Sequence, residues 1–320
     1  MAAVQTTAVA DRDENLAAAA GLVGEAVEAG AEVVVLPELF SVAGSPQRLR
    51  EGAEPIDGPT MCWASGLAAR ERIHLVAGSF PELGPDGAVH NTSALFDPAG
   101  VLRAAYRKVH LFDVHLDGTV VDESATFSAG DELSVVPLAG SHAVPPSSGA
   151  AAGRPGADSD AGWVLGLSIC YDLRFPELYR ILALRGATIV VVPSAFTAAT
   201  GPAHWELLLR ARAVENAVYV IGAGQVGPLP PGMPACHGHS MIVDPWGTVL
   251  AQREEASPGV VLADLDRSRL ARVRSALPVL DHRRPAAYVW PDDGGDGNRT
   301  GAAGRVRGVG AAARGPRHPR

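Results

Sequence analysis

The chain has 320 residues with a formal net charge of −8, and 47% of its residues are hydrophobic. This acidic balance argues against a nucleic-acid or anionic-membrane partner, since both need a basic face that neutralises phosphates, and a small-molecule partner fits better. The three cysteines, Cys62, Cys170 and Cys236, form an odd and sparse set that favours a reducing, cytoplasmic location. Neither a secretory signal nor an apolar run of roughly 18 residues is evident, so we expect a soluble protein without a membrane span.

The predicted elements alternate between strand and helix. In chain order they are strand 2–6, helix 14–30, strands 31–37, 73–80, 91–97 and 163–169, helix 176–186, strand 187–193, helix 204–216 and strand 219–224. Asp11 and Glu14 form a capping-box-like start for the first helix, and Gly30 is suited to end it. This rhythm predicts an α/β architecture, and the nearly continuous apolar run at 187–193 implies a strand buried on both faces.

Two segments depart from this pattern. Residues 139–162 are too rich in Ala, Gly, Pro and Ser to pack, which predicts a flexible surface insertion. From residue 291 to 320 the chain is mostly Gly, Ala and Arg, which predicts a disordered tail. We therefore expect one domain over residues 1–290.

Cys170 lies where the apolar strand 163–169 ends, and Pro176 is well placed to open the next helix. A strand, a sharp turn and a helix resemble in logic the nucleophile elbow of other α/β hydrolases, in which the turn exposes the nucleophile. A structural cysteine at a strand end explains this stretch equally well.

A nucleophilic thiol needs a base that takes its proton or a cation that holds the thiolate. Glu38 follows the strand 31–37, where we expect partial desolvation to raise its pKa towards the range useful for proton transfer. Lys108 follows the strand-like run 101–106, and Glu123 is a further candidate carboxylate. Taken singly, each could be an ordinary loop or salt-bridge residue.

Taken together, the segments PELF, YRKVHLFD and SICYDLRFPEL resemble the motifs of the nitrilase superfamily of carbon–nitrogen hydrolases. The resemblance implies a four-layer αββα sandwich and a Glu38, Lys108 and Cys170 triad assisted by Glu123. It also implies a thioester intermediate, no metal and no cofactor, and a homodimer or larger homo-oligomer whose interface includes the helix 204–216.

Later segments are similar to one branch of that superfamily. Three segments look like those of the ω-amidases and deaminated glutathione amidases: TGPAHWELLLRARAVEN, GHSMIVDPWGTVLA and LPVLDHRRPAAY. The second and third of these are more similar to the deaminated glutathione amidases. The implied substrate is a small ω-amide or a deaminated-glutathione-like amide. The alternatives are a nitrilase or N-carbamoyl amino acid hydrolase with the same triad, or a non-catalytic scaffold that has kept the fold.

Three residues are candidates for substrate binding. Related enzymes use arginines in the turn after the nucleophile to hold a substrate carboxylate, so Arg174 either does this or braces the turn by pairing with Asp172 or Glu177. We favour bracing. Tyr171 and Phe196 are the other two candidates.

The remaining histidines and cysteines receive simpler interpretations. His110 and His204 could serve a Cys–His hydrolase, but neither displaces Glu38 and Lys108. The run CHGH lacks a second ligand pair at zinc-like spacing, so we predict no metal site. Cys62, next to Trp63 on a predicted helix, is interpreted as a core residue.

Overall fold

The computed structural model describes residues 1–116, 119–138 and 162–288. Most of the predicted insertion (139–161) and the predicted tail (291–320) therefore lie outside the described residues, and the domain boundary at residue 290 stays a prediction. The chain divides into a large unit, Met1–Arg283, and a second unit, Arg284–Arg320. The described part of the second unit contains a short 3₁₀ helix, Pro285–Ala287.

The helices are α1 (Arg12–Glu28), α2 (Pro46–Glu51), α3 (Pro59–Glu71), α4 (Pro176–Leu184), α5 (Gly201–Asn216) and α6 (Arg267–Ala276). The predicted start of α1 is confirmed, because Asp11 caps it by accepting a hydrogen bond from the Glu14 N–H at 2.9 Å. Gly30 follows the helix at φ +92°, the left-handed conformation that glycine adopts without strain. Within the described residues, no helix combines the length and apolar character needed to cross a membrane.

The strands are β1 (Ala2–Gln5), β2 (Val33–Val35), β3 (His74–Val76), β4 (Phe80–Leu83), β5 (Val89–Phe96), β6 (Leu102–Arg107), β7 (Asp113–Leu116), β8 (Thr119–Asp122), β9 (Val135–Pro137), β10 (Val164–Leu167), β11 (Ile189–Ser194), β12 (Tyr219–Gly224), β13 (Val226–Gly227), β14 (Cys236–His237), β15 (Met241–Val243), β16 (Val249–Gln252) and β17 (Gly259–Leu262). One sheet has the order β17-β1-β2-β3-β5-β4, with β6 also paired to β5. The other has the order β16-β15-β12-β11-β10-β9. Parallel pairs, β1 with β2, β2 with β3, β10 with β11 and β11 with β12, form the centre of each sheet.

Successive residues of a strand in the first sheet pack into different cores, and this alternation explains how the four layers stack. Val34 packs in a core with residues of α1 and α3, whereas its neighbour Val35 packs in a second core that includes the strands of the other sheet. Because successive strand residues point to opposite faces, the first sheet has helices on one side and the second sheet on the other. Leu182 of α4 and Leu209 of α5 belong to the second core. The predicted αββα sandwich is confirmed.

The strand predicted over 73–80 is wrong in one respect, because the chain breaks it into β3 and β4 at Gly78. Gly78 has φ +39°, and a Cβ at this position would overlap the carbonyl oxygen of Pro37. This close approach places the β3–β4 turn directly against the segment that carries Glu38.

The interpretation of Cys62 as a core residue is also wrong. Cys62 is on α3 as predicted, but it is exposed, and its Sγ lies 3.3 Å from the Asp57 carbonyl oxygen. The buried face of α3 carries Met61 and Ala64. At 3.6 residues per turn the position after Met61 points away from that face.

Candidate active site

Cys170 occupies a strained turn between β10 and α4. Its φ of +45° is in the left-handed region, which non-glycine residues adopt at a cost of about 1–2 kcal/mol. A short 3₁₀ helix, Cys170–Arg174, starts at the cysteine, and Pro176 opens α4 as predicted. Such strain persists only where the surrounding structure fixes the backbone, and it concentrates at functional sites. The predicted strand, turn and helix around this thiol are confirmed.

A buried carboxylate holds this turn in place. Asp172 accepts hydrogen bonds from the Ile169 N–H at 2.9 Å and the Tyr106 hydroxyl at 2.7 Å. It also accepts from the backbone N–H of His110 at 3.2 Å, and it lies 2.8 Å from the His110 Nδ1. Because Tyr106 and His110 flank Lys108 in the chain, this one side chain ties the cysteine turn to the lysine segment.

The backbone of Glu38 is fixed from two directions. Its carbonyl oxygen accepts a hydrogen bond from the Gln225 side chain at 3.0 Å. The next residue, Leu39, is also left-handed (φ +50°), and its N–H donates to the Ser79 hydroxyl at 3.0 Å. These contacts come from both sheets, so the position of Glu38 depends on how the two sheets pack.

Glu38, Lys108 and Glu123 meet in one buried cluster. The Lys108 Nζ lies 2.8 Å from the Glu38 Oε1 and 2.8 and 2.9 Å from the two carboxylate oxygens of Glu123. Glu123 also accepts the Phe112 N–H at 2.6 Å. Lys108 is the only lysine among the 27 lysines and arginines of the sequence. A compact ammonium with three donors suits two converging carboxylates, whereas the planar fork of arginine matches a single one.

Two further groups of this cluster were not predicted from the sequence. The Asn91 Nδ2 donates to the Glu38 Oε1 at 2.9 Å and the Glu123 Oε1 at 3.0 Å, and the Ala195 N–H donates to the Glu38 Oε2 at 2.7 Å. Asn91 had a detectable signal, because asparagine is depleted in strands and buried polar side chains must find partners. The backbone N–H of Ala195 had none, since any residue supplies it.

The pKa of Glu38 moves in the direction opposite to our expectation. Burial by itself would raise this pKa, but the charge of Lys108 and hydrogen bonds from Lys108, Cys170 and Ala195 outweigh burial and hold it below its ordinary value. Glu38 is therefore an ionised acceptor next to the thiol. The sequence expectation considered burial alone, without the lysine that neutralises the carboxylate.

The other two groups have matching protonation states. Burial and the adjacent Glu38 carboxylate raise the pKa of the Cys170 thiol well above its ordinary value, and the Lys108 cation offsets only part of this. Burial alone would lower the pKa of Lys108, but the charges of Glu123 and Glu38 raise it well above its ordinary value. The resting arrangement is a neutral thiol that interacts with the Glu38 carboxylate, beside an ammonium.

The thiol opens into a small pocket of about 210 Å³, a volume that includes its open mouth. Its lining residues are Phe112, Cys170, Tyr171, Arg174, Ala195, Phe196, Thr197 and Thr200. All three predicted substrate-binding residues are therefore beside Cys170. The guanidinium carbon of Arg174 is 5.9 Å from the ring centre of Tyr171 and 5.3 Å from that of Phe196.

The predicted bracing pair of Arg174 is wrong. In the part of the chain that the structure describes, Arg174 forms no ion pair with Asp172 or Glu177, and its polar contact is the His204 Nδ1 at 3.3 Å. Asp172 is already engaged by the backbone and by His110. Arg174 thus brings a positive charge to the pocket wall, and no carboxylate among the described residues forms an ion pair with it.

His110, His237 and His239 are engaged in ring stacking with other side chains. The ring of His110 stacks on Phe175 with 3.6 Å between ring centres. The rings of His237 and His239 stack at 4.3 Å, and burial together with the His239 charge lowers the pKa of His237 to about 4. Among the described residues, no group of three potential metal ligands is present.

Comparison with known proteins gives the family. The profile of the carbon–nitrogen hydrolase family matches residues 1–275. The chain is 42% identical over 292 residues to a deaminated glutathione amidase of Synechocystis sp., with 88% of this chain and 97% of that protein covered. It is 37% identical over 290 residues to omega-amidase NIT2 of Bos taurus, with coverages of 90% and 96%.

A solved structure agrees with this. Saccharomyces cerevisiae Nit3, a member of branch 10 of the nitrilase superfamily, superposes with a TM-score of 0.74 and 33% sequence identity over 88% of this chain and 95% of that chain. The fold is thus that of a nitrilase-superfamily enzyme. The chain belongs to the carbon–nitrogen hydrolase family, which confirms the resemblance seen in the motifs around Glu38, Lys108 and Cys170.

Proposed function

We propose that the chain hydrolyses the amide bond of a small ω-amide or deaminated-glutathione-like substrate through a thioester on Cys170. One observation carries the proposal: the Lys108 ammonium holds the buried Glu38 carboxylate at 2.8 Å, and this carboxylate interacts with the Cys170 thiol in its strained turn. A nucleophile paired with an adjacent base that a third group orients is the arrangement that covalent catalysis requires. The amidase names of the similar proteins support the same reaction.

In the first half of the reaction, Glu38 accepts the thiol proton as the Cys170 sulfur bonds to the amide carbonyl carbon. The negative charge that develops on the carbonyl oxygen is stabilised by Lys108 and by backbone N–H groups of the cysteine turn. Glu38 then gives its proton to the amide nitrogen. The C–N bond breaks, ammonia or an amine leaves, and a thioester remains.

In the second half, Glu38 takes a proton from a water molecule whose oxygen attacks the thioester carbonyl. The C–S bond breaks, the carboxylic acid product leaves, and the proton on Glu38 returns to the sulfur. Glu123 keeps Lys108 beside Glu38 throughout, since it accepts from the ammonium with both oxygens. Side chains, backbone N–H groups and water carry these steps.

The test is ammonia release from a panel of short ω-amides of dicarboxylic and keto acids, deaminated glutathione, simple nitriles and N-carbamoyl amino acids. We expect turnover of one amide class and a mass increase on the Cys170 peptide when the reaction is quenched in acid. Turnover restricted to nitriles or carbamoyl compounds would replace the amide proposal by one of those activities. Folded protein that turns over nothing would favour a non-catalytic scaffold.

We further propose that Arg174 binds a carboxylate of the substrate. Its guanidinium has no acidic partner within the described residues, and it lies between two aromatic rings of the pocket. Thr200, at the N-cap of α5, lines the same pocket, and the N-terminus of a helix favours an anion. The two features together favour amides that carry a negative charge at the end remote from the reacting carbonyl.

Replacing Arg174 by alanine is expected to raise KM for a carboxylate-bearing amide by roughly 10- to 100-fold, the range expected from the loss of a charged hydrogen bond. A neutral amide of the same length should change by less than about twofold, since it makes no use of the guanidinium. Steady-state kinetics on the two substrates measures this. Arg174→Lys is the matched control. Its KM for the carboxylate-bearing amide should lie between those of the wild type and Arg174→Ala, because lysine keeps the charge but lacks the planar guanidinium fork.

A melting temperature at the wild-type value shows that the fold survives the Arg174→Ala change. Equal losses on both substrates together with a lowered melting temperature would instead return Arg174 to a bracing role.

We propose that the protein is a cytoplasmic homodimer or larger homo-oligomer with a catalytic domain over residues 1–290. The exposed apolar side chains Leu207 and Val214 of α5 and Trp246 support an interface on this side of the molecule. The Val214 side chain adjoins Gly247, so α5 and the turn that carries Trp246 form one continuous surface.

Leu207→Glu should shift the protein to a smaller species in light scattering, because a charge cannot be buried unpaired in an apolar interface. The control is Leu83→Glu, at an exposed position of β4 remote from α5 in the chain. An unchanged mass for Leu207→Glu would move the interface elsewhere, and a wild-type monomer would end the oligomer proposal.

A further inference from the structure

Asn91 is a fully buried residue of β5 that touches the active-site cluster with both its backbone and its side chain. Its carbonyl oxygen accepts the Lys108 N–H at 2.9 Å. The two hydrogens of its side-chain amide are shared between the acids, with Nδ2 lying 2.9 Å from the Glu38 Oε1 and 3.0 Å from the Glu123 Oε1. One residue thus contacts all three charged members of the cluster.

The charges of the cluster do not balance. Two carboxylates face one ammonium in a buried site, and the Lys108 Nζ binds the same two oxygens, Glu38 Oε1 and Glu123 Oε1, that the Asn91 Nδ2 binds. Each of these oxygens is therefore held by one charged and one neutral donor. Without the amide, Lys108 would be the one group among the described residues that donates to both acids, and it has three donors for the two of them.

The orientation of the amide supports a role for the NH₂ end. Rotating the amide by half a turn would aim its oxygen at two carboxylates, which electrostatics forbids. In the orientation present, the Asn91 Oδ1 is buried without a hydrogen-bond partner among the described residues. Buried acceptors are rarely left unpaired, so the side chain serves the two acids at the expense of its own oxygen.

We propose that Asn91 is a positioning residue that holds Glu38 and Glu123 apart and keeps the Glu38 carboxylate aimed at the Cys170 thiol. This inference builds on the proposed function, since it assigns Asn91 to the support of the general base. It also makes a prediction about thiol chemistry that does not require amide turnover.

The titratable groups around Glu38 come from several elements. Lys108 follows β6, Glu123 follows β8, Cys170 starts the turn after β10, and Cys236 on β14 senses the Glu38 charge. Burial and that charge raise the pKa of Cys236, so it stays a neutral thiol over the range of the experiment. Removal of a donor from Glu38 disfavours its ionised form and raises its pKa, so its protonation should begin at a higher pH.

The experiment measures the rate of Cys170 alkylation by iodoacetamide across pH, read by mass spectrometry, in wild type and Asn91→Leu. We expect the acidic limb of the Cys170 rate profile to move up by about one pH unit in the variant, so that the rate at a fixed pH on that limb falls roughly 10-fold. Asn91→Ser retains one donor and should shift the limb by a smaller amount, which also covers the case in which the leucine variant does not fold.

Two controls are built into the chain. Ser93 lies on the same strand and is buried, and its hydroxyl has no hydrogen-bond partner in the part of the chain that the structure describes, so Ser93→Ala should leave the profile unchanged. The exposed Cys62 is alkylated in the same samples and serves as an internal rate reference. A shift of Cys62 by the same amount as Cys170 would mean that the change does not arise at Glu38 and would overturn the inference.

The outcomes separate the two proposals. An acidic limb that stays at the wild-type pH in folded Asn91→Leu and Asn91→Ser overturns the role of Asn91, whatever the amidase assay shows. A shifted limb in a protein that hydrolyses no amide supports the role of Asn91 and removes the proposed function instead.

Discussion

Replacement of Cys170 by alanine should lower kcat/KM for the amide substrate by about 10⁴-fold or more, because Cys170 is the only thiol among the described residues that line the pocket. The change removes a single sulfur atom from a buried site, so the fold should persist. The assay is ammonia release, with circular dichroism to confirm the fold. The variant should also fail to form the acid-stable adduct that the wild type forms on this residue.

A glycine variant at the same position separates chemistry from strain. Cys170→Gly should be as inactive as Cys170→Ala but at least as stable, although glycine ordinarily destabilises by its greater freedom in the unfolded chain. The reason is the φ of +45°, which costs alanine about 1–2 kcal/mol and glycine almost nothing. Urea unfolding measures the difference. The full entropic cost of glycine is about 1 kcal/mol. A glycine variant that is less stable than the alanine variant by this amount or more would therefore contradict the strained turn.

Replacement of Lys108 by methionine should reduce both activity and stability. Two carboxylates would then remain buried without their cation, and breaking a buried ion pair from one side costs about 3–5 kcal/mol. Activity should fall by at least about 10³-fold, since the oxyanion loses its cation and Glu38 loses its fixed position. Lys108→Arg is the matched control, and it should recover part of the stability but little activity, because the planar guanidinium cannot reproduce the contacts of the ammonium.

The stability of Lys108→Met should depend on pH in the direction opposite to that of the wild type. In the wild type, the pKa of Glu38 is held below its ordinary value of 4.5, so its contribution to stability is present above that value and is lost as the pH falls below it. In Lys108→Met, burial without a cation raises the same pKa, so stability should increase as the pH falls. The gap between the two proteins should be widest near pH 7 and narrow towards pH 4. A constant gap in urea unfolding would show that Lys108 acts by packing alone.

The sequence by itself determined the local features of the site. The cysteine turn could be predicted because an apolar strand, a cysteine and a proline-opened helix are set by neighbouring residues. The α/β alternation and the capped start of α1 are equally local, since periodicity and caps depend on residues a few positions apart. The motifs around Glu38, Lys108 and Cys170 then gave the family.

Only the tertiary structure decided what depends on residues far apart in the chain. The lowered pKa of Glu38 requires Lys108 from 70 positions away, and the support from Asn91 requires β5 to bring its amide within hydrogen-bond distance of both acids. Arg174 was expected to pair with a near neighbour, but Asp172 is already engaged by Tyr106 and His110. Side-chain partners and charge states are set by packing and local dielectric, which no short stretch of sequence contains.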